Sequence, residues 1–192
     1  MIKYPNGKRS TEIHKIKSSA SNRGMSLEED LNMTNKYYLD KEIAVIYKKP
    51  TPITIVNVDY KTRSKAKIVE AYFKLPSTTD YNGVYQGKAI DFEAKETSSK
   101  TSFPLSLIHK HQLNHLKAVD KQKAISFVII RFTYYNETYL IKSKDLFKFI
   151  ESNTRKSITY LWIKETGIRI PSGVYPPLDY LKTINIEDNY GK

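Results

Sequence analysis

Residues 89–95, Ala-Ile-Asp-Phe-Glu-Ala-Lys, alternate strictly between apolar and polar side chains. A period of two predicts a half-buried β-strand, because successive side chains of a strand point to opposite faces of a sheet. One face is apolar and comprises Ile90, Phe92 and Ala94. The other face is polar and comprises Asp91, Glu93 and Lys95. The chain must therefore form a sheet that carries acids and a lysine side by side on one face.

This strand is predicted to be the second arm of a β-hairpin over Thr79 to Glu96, with turn signals at 82–83 and 86–88. Asp80 lies on the first arm and can approach Glu93. Two carboxylates can hold Mg²⁺, which prefers oxygen ligands, and the metal can polarise a phosphodiester and activate water. Lys95 beside them can orient that water or stabilise charge on the phosphate oxygens. The alternative is a polar strand face with a cross-strand ion pair.

The charge of the chain indicates an anionic partner, since 32 Lys and Arg face 20 Asp and Glu, a formal net charge of +12. Nucleic acid is the first candidate and an acidic membrane surface the second, while a merely basic, soluble surface is the alternative. The longest apolar run, Ile125–Ile130, is too short to span a bilayer, and the N-terminus has no apolar signal region. There are no cysteines, which fits the reducing cytoplasm where we expect the protein to act.

The order of elements predicts one α/β domain over residues 25–192, preceded by a basic and unstructured tail over residues 1–24. Ser26 and Glu29 form a capping box at the start of the first helix. Further helices are predicted at Leu105–Val119 and Lys144–Asn153, and strands at Ile43–Tyr47, Ile53–Val58, Ile125–Arg131 and Tyr134–Ile141. Ile170–Tyr180 is predicted to be irregular but packed.

Basic residues recur at every second position in the stretch from Tyr60 to Lys74, namely at Lys61, Arg63, Lys65 and Lys67. On an extended chain all four side chains would point to one side, as expected for a surface that meets phosphates. The alternative, a solvated edge strand blunted by lysines, explains the pattern equally well.

Several longer motifs resemble the RecU family of Holliday-junction resolvases, in the same order and over about residues 1 to 185. They are Ser21-Asn22-Arg23-Gly24-Met25, Lys49-Pro50-Thr51-Pro52, Thr78-Thr79-Asp80-Tyr81-Asn82-Gly83, Ile90-Asp91-Phe92-Glu93-Ala94-Lys95-Glu96-Thr97 and Thr101-Ser102-Phe103-Pro104-Leu105. Asp80 and Glu93-Ala94-Lys95 also resemble the PD…(D/E)xK nuclease signature. Thr79 stands where that signature usually has proline, and this is also the pattern of the RecU family.

The resemblance implies roles for individual residues. It implies that Thr78, Asp80, Glu93 and Gln112 bind Mg²⁺ and that Lys95 stabilises the transition state. Gln112 also lies in a predicted apolar stripe of a helix with Ile108, Leu116 and Val119. Its side-chain amide needs a polar partner there, which a metal or its water shell would supply; a core glutamine with other hydrogen-bond partners is the alternative. His109, His111 and His115 are expected to line the surface or contact phosphate, a histidine metal site being the alternative. Glu28 is a second-tier candidate, because Gly24-x-x-x-Glu28 resembles the start of the first helix in some other junction resolvases; an ordinary helix-surface residue is the alternative.

The resemblance further implies a restriction-endonuclease-like core, a mixed central sheet flanked by helices, with a protruding basic stalk. We place the stalk at about residues 60–74, where it could enter the open centre of a four-way junction, and the nuclease hairpin at one edge of the sheet.

A homodimer follows because a nearly two-fold junction must be nicked on two strands. The resemblance also implies modulation of the RecA recombinase. The alternatives are a restriction or mismatch-repair nuclease and a non-catalytic DNA-binding or recombinase-modulating protein.

Overall fold

The structure is a computed structural model that describes residues 26–74 and 78–184; the predicted tail at 1–24 lies outside the described residues. Four α-helices span Leu27–Asp40 (α1), Lys110–Lys121 (α2), Ser143–Ser152 (α3) and Tyr160–Thr166 (α4). Ten strands span Val45–Lys48 (β1), Ile53–Asp59 (β2), Lys67–Phe73 (β3), Tyr81–Tyr85 (β4), Lys88–Thr97 (β5), Ser102–Pro104 (β6), Ile125–Phe132 (β7), Glu137–Lys142 (β8), Ser157–Thr159 (β9) and Ile168–Ile170 (β10). Within the described ranges, no helix is both long enough and apolar enough to cross a membrane.

Six strands form a central sheet in the order β1-β4-β5-β7-β8-β10. The β5–β7 pair is parallel and the other pairs are antiparallel, so the predicted mixed sheet is confirmed. Both faces of the sheet are covered, and alternate side chains of β7 pack into two separate hydrophobic cores. Phe127 and Ile129 pack with α1 and the C-terminal Leu178 and Tyr180. The second core comprises Val128, Ile130 and Phe132 with residues of α2, α3 and α4.

The β4–β5 hairpin turns at Gln86 and Gly87, both with positive φ, as a two-residue hairpin turn requires. The other predicted turn, at 82–83, is wrong, because these residues lie within β4. Gly83 pairs with Ile46 of β1, and a Cβ at this glycine would lie 2.0 Å from the Val45 carbonyl oxygen. Strand β1 therefore pairs with the outer side of β4 and forms the edge of the sheet. The predicted position of the hairpin at the sheet edge is also wrong.

The helix predicted at Leu105–Val119 begins later. Residues 105–107 form one 3₁₀ turn, Ile108 is extended, and α2 starts at Lys110. The late start is stabilised by Gln112, whose Oε1 accepts a hydrogen bond of 2.9 Å from the His109 amide. Ile108 is buried but precedes the helix, so the predicted helical stripe through Ile108 is wrong; Gln112 and Leu116 are both buried on α2.

Strands β2 and β3 form a separate two-stranded sheet, residues 53–73, which we name the β2–β3 arm. Every residue of the two strands is exposed. The basic stretch is not extended as predicted, because residues 61–65 form the turn of the arm and include a 3₁₀ turn at Arg63–Lys65. Of the four basic positions, Lys67 alone lies in a strand, so strand alternation does not align them.

The capping box of α1 is confirmed, since Ser26 Oγ accepts from the Glu29 amide and Glu29 accepts from the Ser26 amide. Strand β8 begins at Glu137 instead of Tyr134, because residues 133–136 form the turn after β7. Helix α4 was not predicted. The C-terminal stretch is irregular and packed as predicted, with Leu178 and Tyr180 fully buried.

Candidate active site

Strand β5 presents Glu93 and Lys95 together because its alternate side chains are fixed in the core. Phe92 stacks between Tyr81 and Phe127 at centroid distances of 4.7 Å on each side. This stacking sets which face of the strand is apolar, and the residues on either side of Phe92 must point the opposite way. The predicted division of residues 89–95 into two faces is therefore confirmed, since Ile90, Phe92 and Ala94 belong to one core. The strand is not half-buried as predicted, because Asp91 and Glu93 on the other face are also buried.

Asp80 immediately precedes β4, whose first residue Tyr81 pairs with Phe92 of β5. The Asp80 amide donates a hydrogen bond of 3.1 Å to Glu93 Oε2. The hairpin therefore brings the two acidic residues together, as the sequence predicted from their positions on adjacent arms. Burial raises the pKa of Glu93 to about 7 from its ordinary value of 4.5; the Lys95 ammonium opposes this rise, and Asp80 adds to it.

Lys95 Nζ lies 2.7 Å from Glu93 Oε1, and the Glu93 side chain is 0% exposed whereas that of Lys95 is 22% exposed. Lys95 and Asp80 line an open pocket of about 260 Å³ whose other wall is the start of α1. Glu28 of α1 also lines this pocket and pairs with Lys48 at 2.5 Å. A buried carboxylate thus lies behind a lysine, an aspartate and a glutamate that face solvent.

The start of α1 is held at this pocket by a buried ion-pair network. Arg131 of β7 lies 2.6 Å from Asp30 and 3.8 Å from Glu96, and both Arg131 and Asp30 are buried. Glu96 Oε1 also accepts from the Leu27 amide at 2.8 Å. These contacts fix the first turn of α1 against the end of β5.

The two remaining predicted ligands, Thr78 and Gln112, do not line the pocket, and neither does the buried Glu93. Thr78 is half-buried and its hydroxyl donates to the Thr79 carbonyl at 3.3 Å. Gln112 is buried, and its amide oxygen accepts from the His109 amide, as the satisfied-glutamine alternative predicted.

A second polar cluster on the same strand face was missed by sequence reasoning. Asp91 Oδ2 lies 2.9 Å from Lys49 Nζ and 3.1 Å from His115 Nε2, and Asp91 Oδ1 accepts from the Thr79 hydroxyl. Lys49 Nζ also donates to Thr79 Oγ1 at 3.0 Å. His115 therefore contacts a carboxylate, whereas the sequence placed it on the surface or against phosphate. The available signal was the spacing of Asp91, two positions before Glu93.

The donors at the pocket fit a hard cation in their chemistry, since carboxylate oxygens are what Mg²⁺ prefers. In residues 26–74 and 78–184, no three or more His, Asp or Glu side chains converge as a metal-binding group. Asp80 and Glu93 can supply two charged ligands, and neutral oxygens or water must supply the others.

Fold and site together define an α/β protein with a carboxylate–lysine site on the hairpin of a mixed sheet. The family model for Recombination protein U (RecU) matches residues 22–186. Relatives named Holliday junction resolvase RecU from Bacillus mycoides, Bacillus thuringiensis and Bacillus anthracis are each 54% identical, over 96% of this chain and 96% of their own length. The chain belongs to the RecU family.

Proposed function

We propose that this protein is a Mg²⁺-dependent endonuclease that resolves four-way (Holliday) DNA junctions by paired, symmetric nicks during homologous recombination and repair. One observation carries the chemistry: the Asp80 amide binds the buried Glu93 carboxylate, and Lys95 lies 2.7 Å from it. The names of the relatives, Holliday junction resolvase RecU, support the choice of substrate.

Asp80 and Glu93 are the proposed charged ligands of the cation, with Thr78 and Gln112 as neutral oxygen ligands. A bound Mg²⁺ would polarise the scissile phosphodiester and lower the pKa of a water molecule. Glu93 is suited to this role because burial penalises its negative charge, and a cation would remove the penalty. Gln112 would bind through the second lone pair of its oxygen, since the first accepts from His109.

Lys95 is the proposed catalytic residue that stabilises charge on the phosphate oxygens. Its side chain is partly exposed and lines the pocket while Nζ contacts Glu93, so the ammonium can reach a phosphate from a fixed position. An ammonium held in place before the reaction stabilises developing charge without reorganisation. Glu28, on the opposite wall, is paired with Lys48 and is a second-tier candidate for the site.

The β2–β3 arm is the proposed stalk of a restriction-endonuclease-like core. Lys61, Lys65 and Lys67 are exposed at its turn or beside it, where they can meet phosphates. On this proposal the stalk would comprise residues 53–73, a longer segment than the 60–74 stretch suggested by the sequence. A basic arm of this kind can enter the open centre of a junction, so that shape provides selectivity and phosphates provide affinity.

A homodimer is proposed because a junction is close to two-fold symmetric and needs one nick on each of two strands. The arm also supports self-association, since it exposes large apolar side chains, including Ile55 (50%), Val69 (64%) and Phe73 (83%). Val69 and Phe73 lie two positions on either side of Ala71, which pairs with Ile55, so these side chains share one face, and a grouped apolar surface indicates an interaction site. Sedimentation should show a dimer that Val69→Asp dissociates; a wild-type monomer at micromolar concentration would contradict the proposal.

The experiment that tests the function is cleavage of a synthetic four-way junction with Mg²⁺ or EDTA, by wild type and by Asp80→Ala. We expect symmetric nicks with Mg²⁺ alone, none with the variant, and unchanged junction binding by the variant. Equal cleavage of a linear duplex would indicate a restriction or mismatch-repair nuclease. Binding without cleavage by the wild type would indicate a non-catalytic DNA-binding or recombinase-modulating protein.

A further inference from the structure

We propose that Lys49, Thr79, Asp91 and His115, hereafter the Asp91 cluster, position the ligands of the proposed metal site. The inference rests on the proposed function, because it concerns how Asp80 and Gln112 are held relative to Glu93. Asp91 belongs to β5 and His115 to α2, whereas Thr79 lies in the segment before β4 and Lys49 directly follows β1. One carboxylate therefore joins every element that carries a proposed ligand.

Asp91 is suited to positioning because its carboxylate contacts three side chains from other parts of the fold. Oδ1 accepts from the Thr79 hydroxyl, and Oδ2 contacts Lys49 Nζ at 2.9 Å and His115 Nε2 at 3.1 Å. Its side chain is 11% exposed. On the strand it precedes Glu93 by two positions on the same face, a separation of about 7 Å, so it lies beside the proposed site.

Thr79 is the link to Asp80. Residues 78–80 lie outside the paired strand β4, so their position depends on contacts other than β4 pairing. The Thr79 hydroxyl bonds to Asp91, Lys49 Nζ donates to Thr79 Oγ1 at 3.0 Å, and the Lys49 amide donates to the Asp80 carbonyl at 2.7 Å. Lys49 therefore holds both Thr79 and Asp80, and Asp91 fixes the distance from this segment to β5.

His115 is the link to Gln112. The two residues are three positions apart on α2 and so lie on one face of the helix. The contact between His115 and Asp91 joins that face to β5. Removing the cluster should therefore displace two proposed ligands relative to Glu93, namely Asp80 before β4 and Gln112 on α2.

A cluster that merely stabilises the fold would affect unfolding and leave cation affinity unchanged in the folded protein. The decisive variants are Thr79→Val, which removes the hydroxyl at nearly constant shape, and Thr79→Ser, which keeps it. Thr183→Val is the matched control, because its hydroxyl bonds to the Tyr180 carbonyl at 2.7 Å in the C-terminal segment. Lys49→Gln provides a second test at a side chain that is 20% exposed.

The measurement is calorimetric titration of Mn²⁺ into the DNA-free, full-length protein, with thermal melting of each variant. We expect Thr79→Val and Lys49→Gln to weaken Mn²⁺ binding about tenfold or more, as removing a partner behind metal ligands does. Thr79→Ser and Thr183→Val should bind like the wild type. Should Thr79→Val fail to fold, Lys49→Gln is judged by the same criterion.

Wild-type Mn²⁺ affinity in a folded Thr79→Val or Lys49→Gln protein would overturn the inference. Asp80→Asn separates this failure from that of the proposed function. If Asp80→Asn loses Mn²⁺ binding and the cluster variants keep it, the positioning role alone is wrong. If Asp80→Asn also binds Mn²⁺ like the wild type, the proposed metal site itself is wrong.

Discussion

The buried Glu93 carboxylate makes the stability of the metal-free protein depend on pH in a specific way. Its side chain is 0% exposed, and burial, with Asp80 adding to the effect, raises its pKa to about 7 against the opposing effect of Lys95. The folded chain therefore binds this proton more tightly than the unfolded chain, in which the pKa is near the ordinary 4.5. The resulting stabilisation is fully present below pH 4.5 and is lost as the pH rises through about 7.

The size of the effect follows from the two pKa values, 7 and 4.5. A difference of about 2.5 corresponds to about 3 kcal/mol in the free energy of unfolding. Glu93→Gln resembles the protonated side chain at every pH. We therefore expect the stability of this variant relative to wild type to increase by about 3 kcal/mol between pH 4 and pH 8.

Urea unfolding in EDTA across this pH range measures the difference directly, since the other titrating groups are shared. Glu151→Gln is the matched control, because Glu151 pairs with Lys117 at 2.9 Å but is 65% exposed. A difference between Glu93→Gln and wild type that does not change with pH would refute the reasoning. Added Mg²⁺ at pH 8 should stabilise the wild type and not the variant.

Four further outcomes are expected. Lys95→Met should lower the rate of junction cleavage at least about a hundredfold without changing junction binding in a gel-shift assay. Equal reductions in cleavage and in binding would show that Lys95 binds DNA and has no catalytic role. Replacing the four basic residues at the arm turn and at the start of β3 with glutamine should weaken junction binding, and unchanged binding would refute the stalk proposal; the four are Lys61, Arg63, Lys65 and Lys67. The slope of the logarithmic salt dependence should fall by about 0.9 for each phosphate that the variant no longer neutralises. Arg131→Met should lower the free energy of unfolding in urea by about 3–5 kcal/mol, because it removes the partner of buried Asp30. A loss below about 1 kcal/mol, as expected for an exposed ion pair, would contradict this prediction. Gly83→Ala should lower the melting temperature, since a Cβ there would lie 2.0 Å from the Val45 carbonyl oxygen; an unchanged melting temperature would show that β1 moves aside freely.

The parts of the site that could be predicted are those set by local periodicity. The alternation around Phe92 fixes which side chains of β5 share a face, and the two-residue turn at Gln86 and Gly87 fixes the pairing of β4 with β5. Those two features bring Asp80 to Glu93 without knowledge of the rest of the fold. The capping box at Ser26 was predictable for the same reason, because Ser26 and Glu29 are only three positions apart.

The Asp91 cluster could not be predicted, because its partners come from distant parts of the chain. Lys49 and His115 are 42 and 24 positions from Asp91, and tertiary packing alone brings them together. The late start of α2 has a similar origin, since Leu105 and Pro104 are drawn into contacts with the β9 segment. In the β2–β3 arm, a basic alternation that suits a strand forms a turn instead, because the strands on either side pair with each other.

The most direct test is to measure the stoichiometry and affinity of Mn²⁺ binding by electron paramagnetic resonance. The proteins to compare are the wild type, Asp80→Asn and Glu93→Gln. If both carboxylates bind one cation, the wild type should bind it with an affinity that either substitution reduces strongly, while Glu151→Gln leaves it unchanged. Mn²⁺ binding of wild-type affinity in both Asp80→Asn and Glu93→Gln would contradict a shared cation, and with it the proposed nuclease.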